Sequence, residues 1–373
     1  MARTLTEAGY RVSVVCPTGR GFEQRYEVRE GIEIYRHRLC EASGPLGYMV
    51  EYAQALTMDF WLAWKAYRRT RFRIIHAANP PDTMFLVALF FRLFGVRFIF
   101  DHHDLNPELY EAKFGKRGLF YRLVCLAERL TYRTATVSIA TNESYREVAL
   151  RRGGMSPDRA FIVRSCPDLK NVRIDPPKPE LKQGKPLLVA YVGVMGPQDG
   201  LDLLLESIRY IVNEAKRDDV AFVLIGAGTE TAALKAWAAE KGLDSVVTFT
   251  GRVPDAEMWA YLSSADMGVA PDPKNPMNDK STMNKILEYM AFGLPVVLYD
   301  LTEGRRSAGD AALYAQPNDP VDFARQMLAL LDSEDLRRAL GARARKRIEE
   351  SLNWDIEKRE LLKAYETALD DQR

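Results

Sequence analysis

The fold is decided by residues 270–300, which read APDPKNPMNDKSTMNKILEYMAFGLPVVLYD. A buried strand is predicted to end at Ala270, and a loop rich in proline and lysine follows it. Next comes a helix that is predicted to begin near Ser281 or Thr282 and to end at Phe292, before a capping glycine. Another apolar strand comes after the glycine. This order of elements is typical of a parallel sheet covered by helices on both faces.

The same alternation of apolar strands and helix-length patterns continues on both sides of this segment. In the second half, strands are predicted at Leu187–Val192, Ala221–Ile225, Val246–Thr250, Met267–Ala270 and Val296–Tyr299. In the first half, they are predicted at Val12–Val15, Ile32–Tyr35, Ile74–His76, Phe98–Asp101, Val137–Thr141 and Phe161–Arg164. Because a helical pattern follows most of these strands, we expect an α/β protein with two Rossmann-like, doubly wound parallel sheets.

The domain layout follows from length and from one irregular stretch. A chain of 373 residues suits two domains, and Pro167–Pro186 is rich in proline and lysine and has no apolar period. The prediction is a first domain at residues 1–168, a linker at 169–186, a second domain at 187–352 and a helix at 353–373 that returns to the first domain. The first domain is expected to lack its opening strand and glycine-rich turn, because the sequence begins with a helix end.

Composition argues against several functional classes. Hydrophobic residues make up 47% of the chain and charged residues 28%, which is typical of a folded globular protein. The net charge of +1 argues against a general nucleic-acid-binding protein. Four scattered cysteines without a C-x-x-C pair, together with only four histidines, argue against a zinc site. A cytoplasmic protein with reduced thiols is therefore expected.

Two stretches combine apolar or aromatic residues with arginine. Residues 49–73 carry Trp61 and Trp64 among five basic residues, and residues 84–94 are apolar except for Arg92. Such helices suit peripheral contact with the inner face of an anionic membrane. The favoured alternative is that they pack on the sheet, which needs apolar helices on its faces. No apolar run reaches the roughly 18–20 residues of a membrane span.

Ligands of an open parallel sheet bind beyond the carboxyl ends of its strands. One predicted strand is followed by DHHDLNPELY, residues 101–110. His103, beside Asp104, is a candidate for hydrogen bonding or proton transfer. Adjacent histidines on a strand point to opposite faces, so only one of the pair is expected to face a ligand. The structural alternative makes Asp104 or Asn106 the N-cap of a helix with Pro107 at its first position.

Two glycine-bearing turns follow strands of the second domain. The first contains Gly193, and the second contains Gly226 and Gly228. Glycine lets a ligand approach the backbone closely, and free N–H groups at a helix start bind anions. Asp199 is predicted to open the helix after the first turn. Each turn alone is a weak signal, and the two together indicate a nucleotide platform.

The helix start within residues 270–300 is the strongest candidate site. Hydroxyls, free amides and lysines gather there, as in a diphosphate site. One to two turns further on, Glu288 is placed to accept the hydrogen bonds of a ribose diol. The candidate diphosphate ligands are Lys280, Ser281, Thr282 and Lys285, with Lys274 as a further candidate. The alternative is an N-capped amphipathic helix with solvated lysines.

The stretch NKILEYMAFGLPVV resembles the signature of family 4 glycosyltransferases, a large retaining family with the GT-B fold. The resemblance continues in FVLIGAGTE, VVTFTGRVPDAEMWAYLSSADMGVAP and AALYAQPNDPVDFARQMLALL, and in the first half in RTLTEAGYRVSVVC and DHHDLNPELY. It covers the chain from residue 3 to about residue 360. It implies two domains facing a cleft, with a nucleotide-sugar donor on the second and an acceptor on the first.

The implied reaction moves a sugar from a donor such as a UDP- or GDP-sugar to a glycan, a lipid-linked glycan or a small molecule. The resemblance implies retention of the anomeric configuration, no metal and no cofactor, and a role in polysaccharide biosynthesis. It also implies that Glu288 holds the donor ribose and that His103 touches the reacting sugar or the acceptor. The residues implied to flank the nucleotide are Gly226, Gly228, Gly251, Arg252 and Val253.

The sequence departs from the family pattern at three places, one of which is the start of the chain. Lys280 stands where many members carry a glutamate, eight residues before Glu288. Beyond the first strand of the second domain, Val194 or Met195 and Asp199 replace a basic pair. The phosphate role is therefore assigned to other basic residues: Lys280, Lys285 and Arg252 or Lys274.

Three alternatives stay open. One is a GT-B protein that binds nucleotide sugars with little or no transfer activity, and another is a sugar-nucleotide epimerase of the same fold. The third is an NAD-dependent oxidoreductase. It is weak because neither glycine turn completes G-x-G-x-x-G: the fifth residue after Gly193 is Gln198, and the fifth after Gly226 is Thr231.

Overall fold

The computed structural model describes residues 1–19, 21–39, 44–115 and 117–370. Within them the chain forms two compact α/β units. Unit 1 comprises Met1–Val163 together with Glu357–Arg373, and unit 2 comprises Arg164–Ile356. Each unit is built on parallel strands and helices, so the predicted fold class of two Rossmann-like domains is confirmed.

Unit 1 contains two sheets in its described part. The smaller has the order β1–β3–β2, in which β1 (Ser13–Pro17) is parallel to β3 (Ile32–His37) and β2 (Tyr26–Arg29) is antiparallel to it. The larger is parallel throughout, in the order β4 (Ile74–Ala78), β5 (Arg97–His102), β6 (Val137–Ala140) and β7 (Ala160–Ile162). The strand β2 is not among the predicted strands, and its direction departs from the expected all-parallel pairing.

The helices of unit 1 cover these sheets. They are α1 (Ala2–Glu7), α2 (Gly44–Thr70), α3 (Phe85–Arg92), α4 (Asn106–Phe114), α5 (Leu119–Thr134) and α6 (Glu143–Arg151), and a single 3-10 turn spans Pro157–Arg159. The aromatic residues of α2 pack on α3, with ring centroids 4.9 Å apart for Phe60 and Phe90 and 5.7 Å apart for Trp64 and Phe90. Trp61 is instead 62% exposed. None of the helices in the described ranges combines the length and hydropathy needed to cross a bilayer.

Unit 2 contains a six-stranded parallel sheet in the order β10–β9–β8–β11–β12–β13. Its strands are β8 (Leu187–Val192), β9 (Val220–Ile225), β10 (Val247–Gly251), β11 (Met267–Ala270), β12 (Val296–Tyr299) and β13 (Ala312–Ala315). The helices are α7 (Leu201–Arg209), α8 (Thr231–Glu240), α9 (Asp255–Ser264), α10 (Asn284–Ala291), α11 (Thr302–Ala308), α12 (Pro320–Asp332) and α13 (Glu334–Ser351). The last helix, α14 (Trp354–Asp370), carries the chain into unit 1.

The core of unit 2 lies on both faces of its sheet. Alternate residues of β8 show this, because Val189 and Tyr191 pack in one buried cluster while Leu188 and Ala190 pack in another. Successive side chains of a strand point to opposite faces, so a strand that is apolar throughout must be covered on both sides. The rigid sheet that results fixes the positions of the turns at its carboxyl edge.

Candidate functional site

The sheet of unit 2 reverses its strand order between β8 and β11, and open α/β sheets bind ligands at such a switch point. The turn that begins at Gly193 follows β8, and the turn that contains Asp272 follows β11. Both turns therefore lie at the carboxyl edge beside the switch point. The helix α10 also starts there, since Lys285 in its first turn reaches Asp272.

The helix α10 begins at Asn284, and the prediction of a start at Ser281 or Thr282 is wrong. The reason is that the hydroxyl of Ser281 donates to the carbonyl of Met277 at 2.8 Å and does not cap the helix. A 3-10 turn at Asn278–Lys280 precedes the helix, so Lys280 lies before the helix and not in its first turn. The predicted diphosphate ligands are thus divided along the chain. Lys280, Ser281 and Thr282 precede α10, and Lys285 lies in its first turn.

Lys285 is a buried cation at this edge. Its Nζ lies 2.7 Å from Oδ1 of Asp272, and the two side chains are only 9% and 4% exposed. The same Nζ lies 5.0 Å from the ring centroid of Tyr191, a distance at which a cation is attracted to an aromatic face. An ammonium group has three donors, and the bond to Asp272 uses one of them. Lys285 is therefore a fixed positive charge with donors left for an anion.

Glu288 follows Lys285 by three residues, so both side chains lie on one face of α10. Burial raises the pKa of Glu288, and the positive charge of Lys285 lowers it in part. The helix thus presents one cation and one carboxyl group on adjacent turns beside the switch point.

The glycine turns of unit 2 pack against each other. A Cβ on Gly226 would lie 1.8 Å from the carbonyl oxygen of Gly193, and a Cβ on Gly228 would lie 2.4 Å from that of Met195. The amides of Gly193 and Gly226 each donate to a backbone carbonyl at 3.0 Å, and the amide of Gly228 donates to the hydroxyl of Thr231 at 2.8 Å. The glycines therefore allow two turns to approach closely, and their N–H groups are satisfied within the protein.

Asp199 does not open α7 as predicted. The N-cap of α7 is Gly200, and the carboxylate of Asp199 accepts a hydrogen bond from the amide of Gly196 at 2.9 Å. Gly200 has a φ of 69°, and a Cβ there would lie 2.1 Å from a backbone oxygen. The close packing of this turn explains why glycine stands at the cap in place of aspartate.

The remaining predicted donor ligands of unit 2 lie further along the same edge. Arg252 is exposed and Val253 is half-buried, in the segment directly after β10. The Nζ of Lys274 lies 3.4 Å from Oδ1 of Asp279, and the lysine side chain is 42% exposed. A cavity behind the start of α10 has a volume of about 10 Å³, room for one water and too little for a phosphate.

In unit 1, Asp101 at the end of β5 joins two histidines. Its Oδ2 lies 2.9 Å from Nε2 of His103 and 2.9 Å from Nε2 of His76. The Nδ1 of His76 lies 2.9 Å from the hydroxyl of Tyr365, which α14 contributes. Burial raises the pKa of Asp101, but the hydrogen bonds from both histidines outweigh burial and hold that pKa well below its usual range. Asp101 is therefore an anion that fixes both rings.

His103 keeps one ring nitrogen for a ligand. A carboxylate only accepts hydrogen bonds, so the Nε2 of His103 donates to Asp101 and Nδ1 is the second polar atom of a ring whose side chain is 37% exposed. The hydrogen bond to Asp101 raises the pKa of His103, and burial opposes that shift. The imidazole is therefore more readily protonated than an unperturbed histidine side chain.

His102 points to the other face of β5, as the alternation of a strand requires. It is 1% exposed, and its Nδ1 lies 2.7 Å from the hydroxyl of Tyr132. Burial, together with the positive charge of Arg152, lowers the pKa of His102 to about 3. His102 is therefore a neutral core residue.

Asn79 holds the backbone of the predicted catalytic pair. Its Oδ1 accepts hydrogen bonds from the amides of His103 and Asp104 at 2.7 and 3.1 Å, and its Nδ2 donates to the carbonyl of Asp104 at 2.7 Å. The helix α4 starts at Asn106 with Leu105 as its N-cap, so the prediction of Asp104 or Asn106 at that position is wrong. Asp104 instead belongs to the turn that Asn79 clamps.

The sequence reasoning missed four residues of these sites: His76, Asn79, Asp101 and Asp272. Asp101 lies within DHHD, and Asp272 lies within residues 270–300. Asp101 is the last residue of a predicted strand, and Asp272 follows another by two residues, so the strand-end rule was sufficient to find them. His76 lies in β4, the neighbour of β5, and Asn79 directly follows β4, so only the pairing of these strands brings them to His103.

Two family models match the chain. Residues 1–165 match the glycosyl transferase 4-like domain, and residues 186–333 match the glycosyl transferases group 1. Among curated proteins, a phosphatidyl-myo-inositol mannosyltransferase of Mycolicibacterium smegmatis is 30% identical over 173 residues. That match covers 46% of this chain and 42% of the relative, so the chain spans less than half of that relative's length.

Solved structures are similar over more of the chain. Sucrose-phosphate synthase from Thermosynechococcus elongatus has 18% sequence identity and a TM-score of 0.77, and the match covers 99% of this chain and 91% of that one. Anabaena HepE in complex with UDP-glucose has 15% identity and a TM-score of 0.68, with 90% and 86% covered. At such low sequence identities, the similarity to these two structures shows only that the fold is shared.

Proposed function

The chain belongs to the group 1 glycosyltransferases, which have the GT-B fold, and from this membership we propose that it transfers a sugar from a nucleotide-sugar donor to an acceptor. The observation that carries the proposal is the placement of Lys285 and Glu288 on one face of α10, at the switch point of the matched unit 2. A cation and a carboxyl group there suit the diphosphate and the ribose of one nucleotide.

The donor is proposed to bind with its diphosphate at Lys285. The ion pair with Asp272 fixes the ammonium, so the charge is in place before the donor arrives. Lys280 and Arg252 are further cations for the phosphates, and Ser281 and Thr282 supply hydroxyls. A UDP- or GDP-sugar fits this set, and HepE, a structural neighbour, was solved with UDP-glucose.

The reaction is proposed to retain the anomeric configuration and to need neither a metal nor a cofactor. The bond between the anomeric carbon and the diphosphate oxygen breaks, and a bond from an acceptor oxygen forms on the same face of the sugar. The acceptor proton passes to the departing diphosphate oxygen, which leaves as part of a nucleoside diphosphate. Lys285 stabilises the charge that develops on this leaving group.

His103 is proposed to orient a hydroxyl of the reacting sugar or of the acceptor through Nδ1. Asp101 holds the ring by its other nitrogen, and Asn79 holds the backbone, so the imidazole has a defined direction. Asp104 is proposed to contribute to the site as part of the turn whose backbone Asn79 holds by hydrogen bonds. Restricting a polar group to one orientation lowers the entropic cost of reaching the transition state.

The acceptor is proposed to be a glycan, a lipid-linked glycan or a small molecule. The curated relative from Mycolicibacterium smegmatis is named for transfer of mannose to phosphatidyl-myo-inositol. For a lipid-linked acceptor, a cytoplasmic protein would make peripheral contact with the inner face of the membrane, and Trp61 on α2 is an exposed aromatic side chain for such contact.

The donor site is tested by calorimetric titration with UDP- and GDP-sugars. Lys285→Met and Glu288→Gln are each expected to weaken binding of the preferred donor at least about tenfold, since each removes a hydrogen bond to a charged group or to a diol. The matched control is Lys241→Met, which removes a lysine that is 37% exposed at the C-terminal end of α8 and has no proposed role in the site. Donor affinity that stays unchanged in both site variants contradicts the proposal.

The role of His103 is tested by turnover. The variant His103→Asn is expected to keep donor affinity and to lower kcat about 10²-fold, the loss expected when a reacting hydroxyl is no longer held in its orientation. Donor consumption and product are followed by mass spectrometry with and without an acceptor. Turnover equal to that of the unmodified chain removes His103 from the site, and donor conversion without an acceptor indicates an epimerase.

A further inference from the structure

A second cavity of unit 1 lies at the edge of the larger sheet opposite His103. It has a volume of about 230 Å³, and four arginines line it: Arg92, Arg97, Arg133 and Arg159. Arg97 is the first residue of β5, whose far end precedes His103. A strand of six residues rises about 16 Å from its first residue to its last, so this cavity is separate from the site described above. We call it the arginine pocket.

The arginine pocket concentrates positive charge. Its four guanidinium groups come from four different elements, and none of the described residues that line it is acidic. Arg92 and Arg133 lie in the last turns of α3 and α5, where a cation also interacts favourably with the helix dipole. Arg97 opens the strand β5. Asp158, which does not line the pocket, lies 4.0 Å from Arg159, and its side chain is 76% exposed.

The floor of the arginine pocket is apolar and rigid. Ala88, Val96 and Phe98 line it, and each is at most 4% exposed. The hydroxyl oxygen of Thr136, which also lines the pocket, accepts a hydrogen bond from the amide of Phe98 at 3.4 Å. A hydroxyl that accepts there has its own proton to donate elsewhere. An apolar floor with a few polar and charged groups around it is the usual construction of a small-ligand site.

We propose that the arginine pocket binds the phosphate group of a phosphate monoester. A monoester has three terminal oxygens and about two negative charges near neutral pH, so it can engage several guanidinium groups at once. A carboxylate offers only two oxygens and one charge. The volume lies below the roughly 300–1,000 Å³ of sites for drug-sized ligands, which favours a small ester over a whole nucleotide sugar.

This ligand has two chemical sources. One is a soluble phosphate ester, and the other is the head group of a lipid. The second source is considered because Leu89 and Leu93 flank Arg92 on α3 and are 42% and 80% exposed. Both sources present the same phosphate monoester to the arginines, and the experiment separates them.

The soluble arm uses the whole chain, titrated with inorganic phosphate and with glycerol 3-phosphate at physiological ionic strength, which screens diffuse attraction. The pair Arg133→Gln with Arg159→Gln is expected to weaken binding at least about tenfold. The control pair, Arg3→Gln with Arg151→Gln, removes two arginines of unit 1 that are 65% and 81% exposed. The control is expected to bind within about twofold of the unmodified chain.

The lipid arm uses sedimentation with phosphatidylcholine vesicles that carry either phosphatidic acid or phosphatidylglycerol. Phosphatidic acid presents a phosphate monoester, and phosphatidylglycerol presents only a diester. Binding to phosphatidic acid that the pocket variant loses identifies the lipid as the source, and binding of glycerol 3-phosphate alone identifies a soluble ligand. Both results support the arginine pocket.

The proposal is overturned if neither soluble probe binds and both kinds of vesicle bind equally to the pocket variant and the unmodified chain. It is also overturned if the pocket variant and the control variant bind every probe alike.

Circular dichroism checks that the variants are folded. A second pair, Arg92→Gln with Arg133→Gln, repeats the test if the first pair lowers the thermal midpoint. Because the pocket lies at the opposite end of β5 from His103, and Lys285 belongs to unit 2, donor affinity reports separately on the proposed transferase site.

Discussion

The ion pair of Lys285 and Asp272 is the residue-scale feature on which the donor site depends. Both side chains are more than nine-tenths buried, so neither charge is well solvated. A buried charge that loses its partner is far more costly than a buried pair, because the desolvation remains while the attraction is gone. The pair therefore links binding and stability at one position.

Replacing Lys285 with methionine is expected to lower the free energy of unfolding by about 3–5 kcal/mol, since it leaves Asp272 buried and unpaired. The double variant Lys285→Met with Asp272→Leu is expected to recover most of that loss. Urea unfolding measures both. The control Lys274→Met breaks an exposed pair and is expected to cost less than about 1 kcal/mol. Equal losses in Lys285→Met and Lys274→Met would show that burial does not strengthen the pair.

Glu128 makes the stability of unit 1 sensitive to pH. It is 1% exposed, and Arg152 donates to its Oε1 at 2.7 Å while also forming two hydrogen bonds with Glu108. Burial raises the pKa of Glu128 to about 7, and the charge of Arg152 limits the shift. A carboxyl group whose pKa is higher in the folded state binds more protons there. The free energy of unfolding therefore falls as pH rises from the unfolded pKa towards about 7.

The variant Glu128→Gln is expected to flatten this dependence. Between about pH 5 and pH 8 the unmodified chain should lose at most about 3 kcal/mol more than the variant does. Urea unfolding at the two pH values gives the comparison. Glu147→Gln, which changes an exposed carboxylate paired with Arg151, serves as the control. A pH dependence that is identical in Glu128→Gln and Glu147→Gln would assign the effect to other groups.

Single candidate residues could be named from the sequence, and their partners were harder to name. His103 follows a strand, and Lys285 and Glu288 lie in the helix after one, so the rule that ligands meet the carboxyl edge of a parallel sheet suggests all three. The partner His76 lies 25 residues before Asp101, and Tyr365 lies 289 residues after His76. Contacts over such separations depend on strand pairing and on helix docking, for which a single sequence contains no local pattern.

At the scale of elements, the closely packed glycines in the two turns of unit 2 are expected to tolerate no replacement by a residue with a side chain. Gly226→Ala should lower the free energy of unfolding by more than about 3 kcal/mol, because the new Cβ would lie 1.8 Å from a carbonyl oxygen and Gly226 has a φ of 130°. The control is Gly242→Ala, at a φ of 70° with no atom within 4 Å, where about 1 kcal/mol is expected. Thermal unfolding of the two variants isolates the clash. Similar midpoints would mean that the turns separate at little cost.

The elements themselves were mostly predictable from apolar runs, and the misses have physical reasons. The strand β2 has two half-buried and two exposed residues and no apolar run, so periodicity did not reveal it. The strand β13 reads ALYA, and its small residues resemble a helix start as much as a strand. The start of α10 was placed too early because Ser281 has good capping chemistry, which the structure uses within the preceding 3-10 turn.

At the scale of the whole molecule, the two units are expected to differ in independence. The sheet and both buried clusters of unit 2 lie within residues 164–356, so this fragment should fold alone with a cooperative thermal transition. Residues 1–163 should not, because α14 contributes Leu361, Ala364 and Tyr365, each at most 7% exposed. Joining residues 354–370 to 1–163 through a flexible linker should restore folding. Near-ultraviolet circular dichroism checks each fragment, and a folded 1–163 alone would contradict the expectation.

The hydrogen bond between His76 and Tyr365 also limits how early unit 1 can complete its fold during protein synthesis. A ribosome that has just added His76 must add another 289 residues before the tyrosine exists, which takes on the order of 15–60 s at about 5–20 residues per second. All of unit 2 is synthesised during that interval. The contact between His76 and Tyr365, and the part of the core of unit 1 that α14 contributes, can therefore form only after unit 2 has been made.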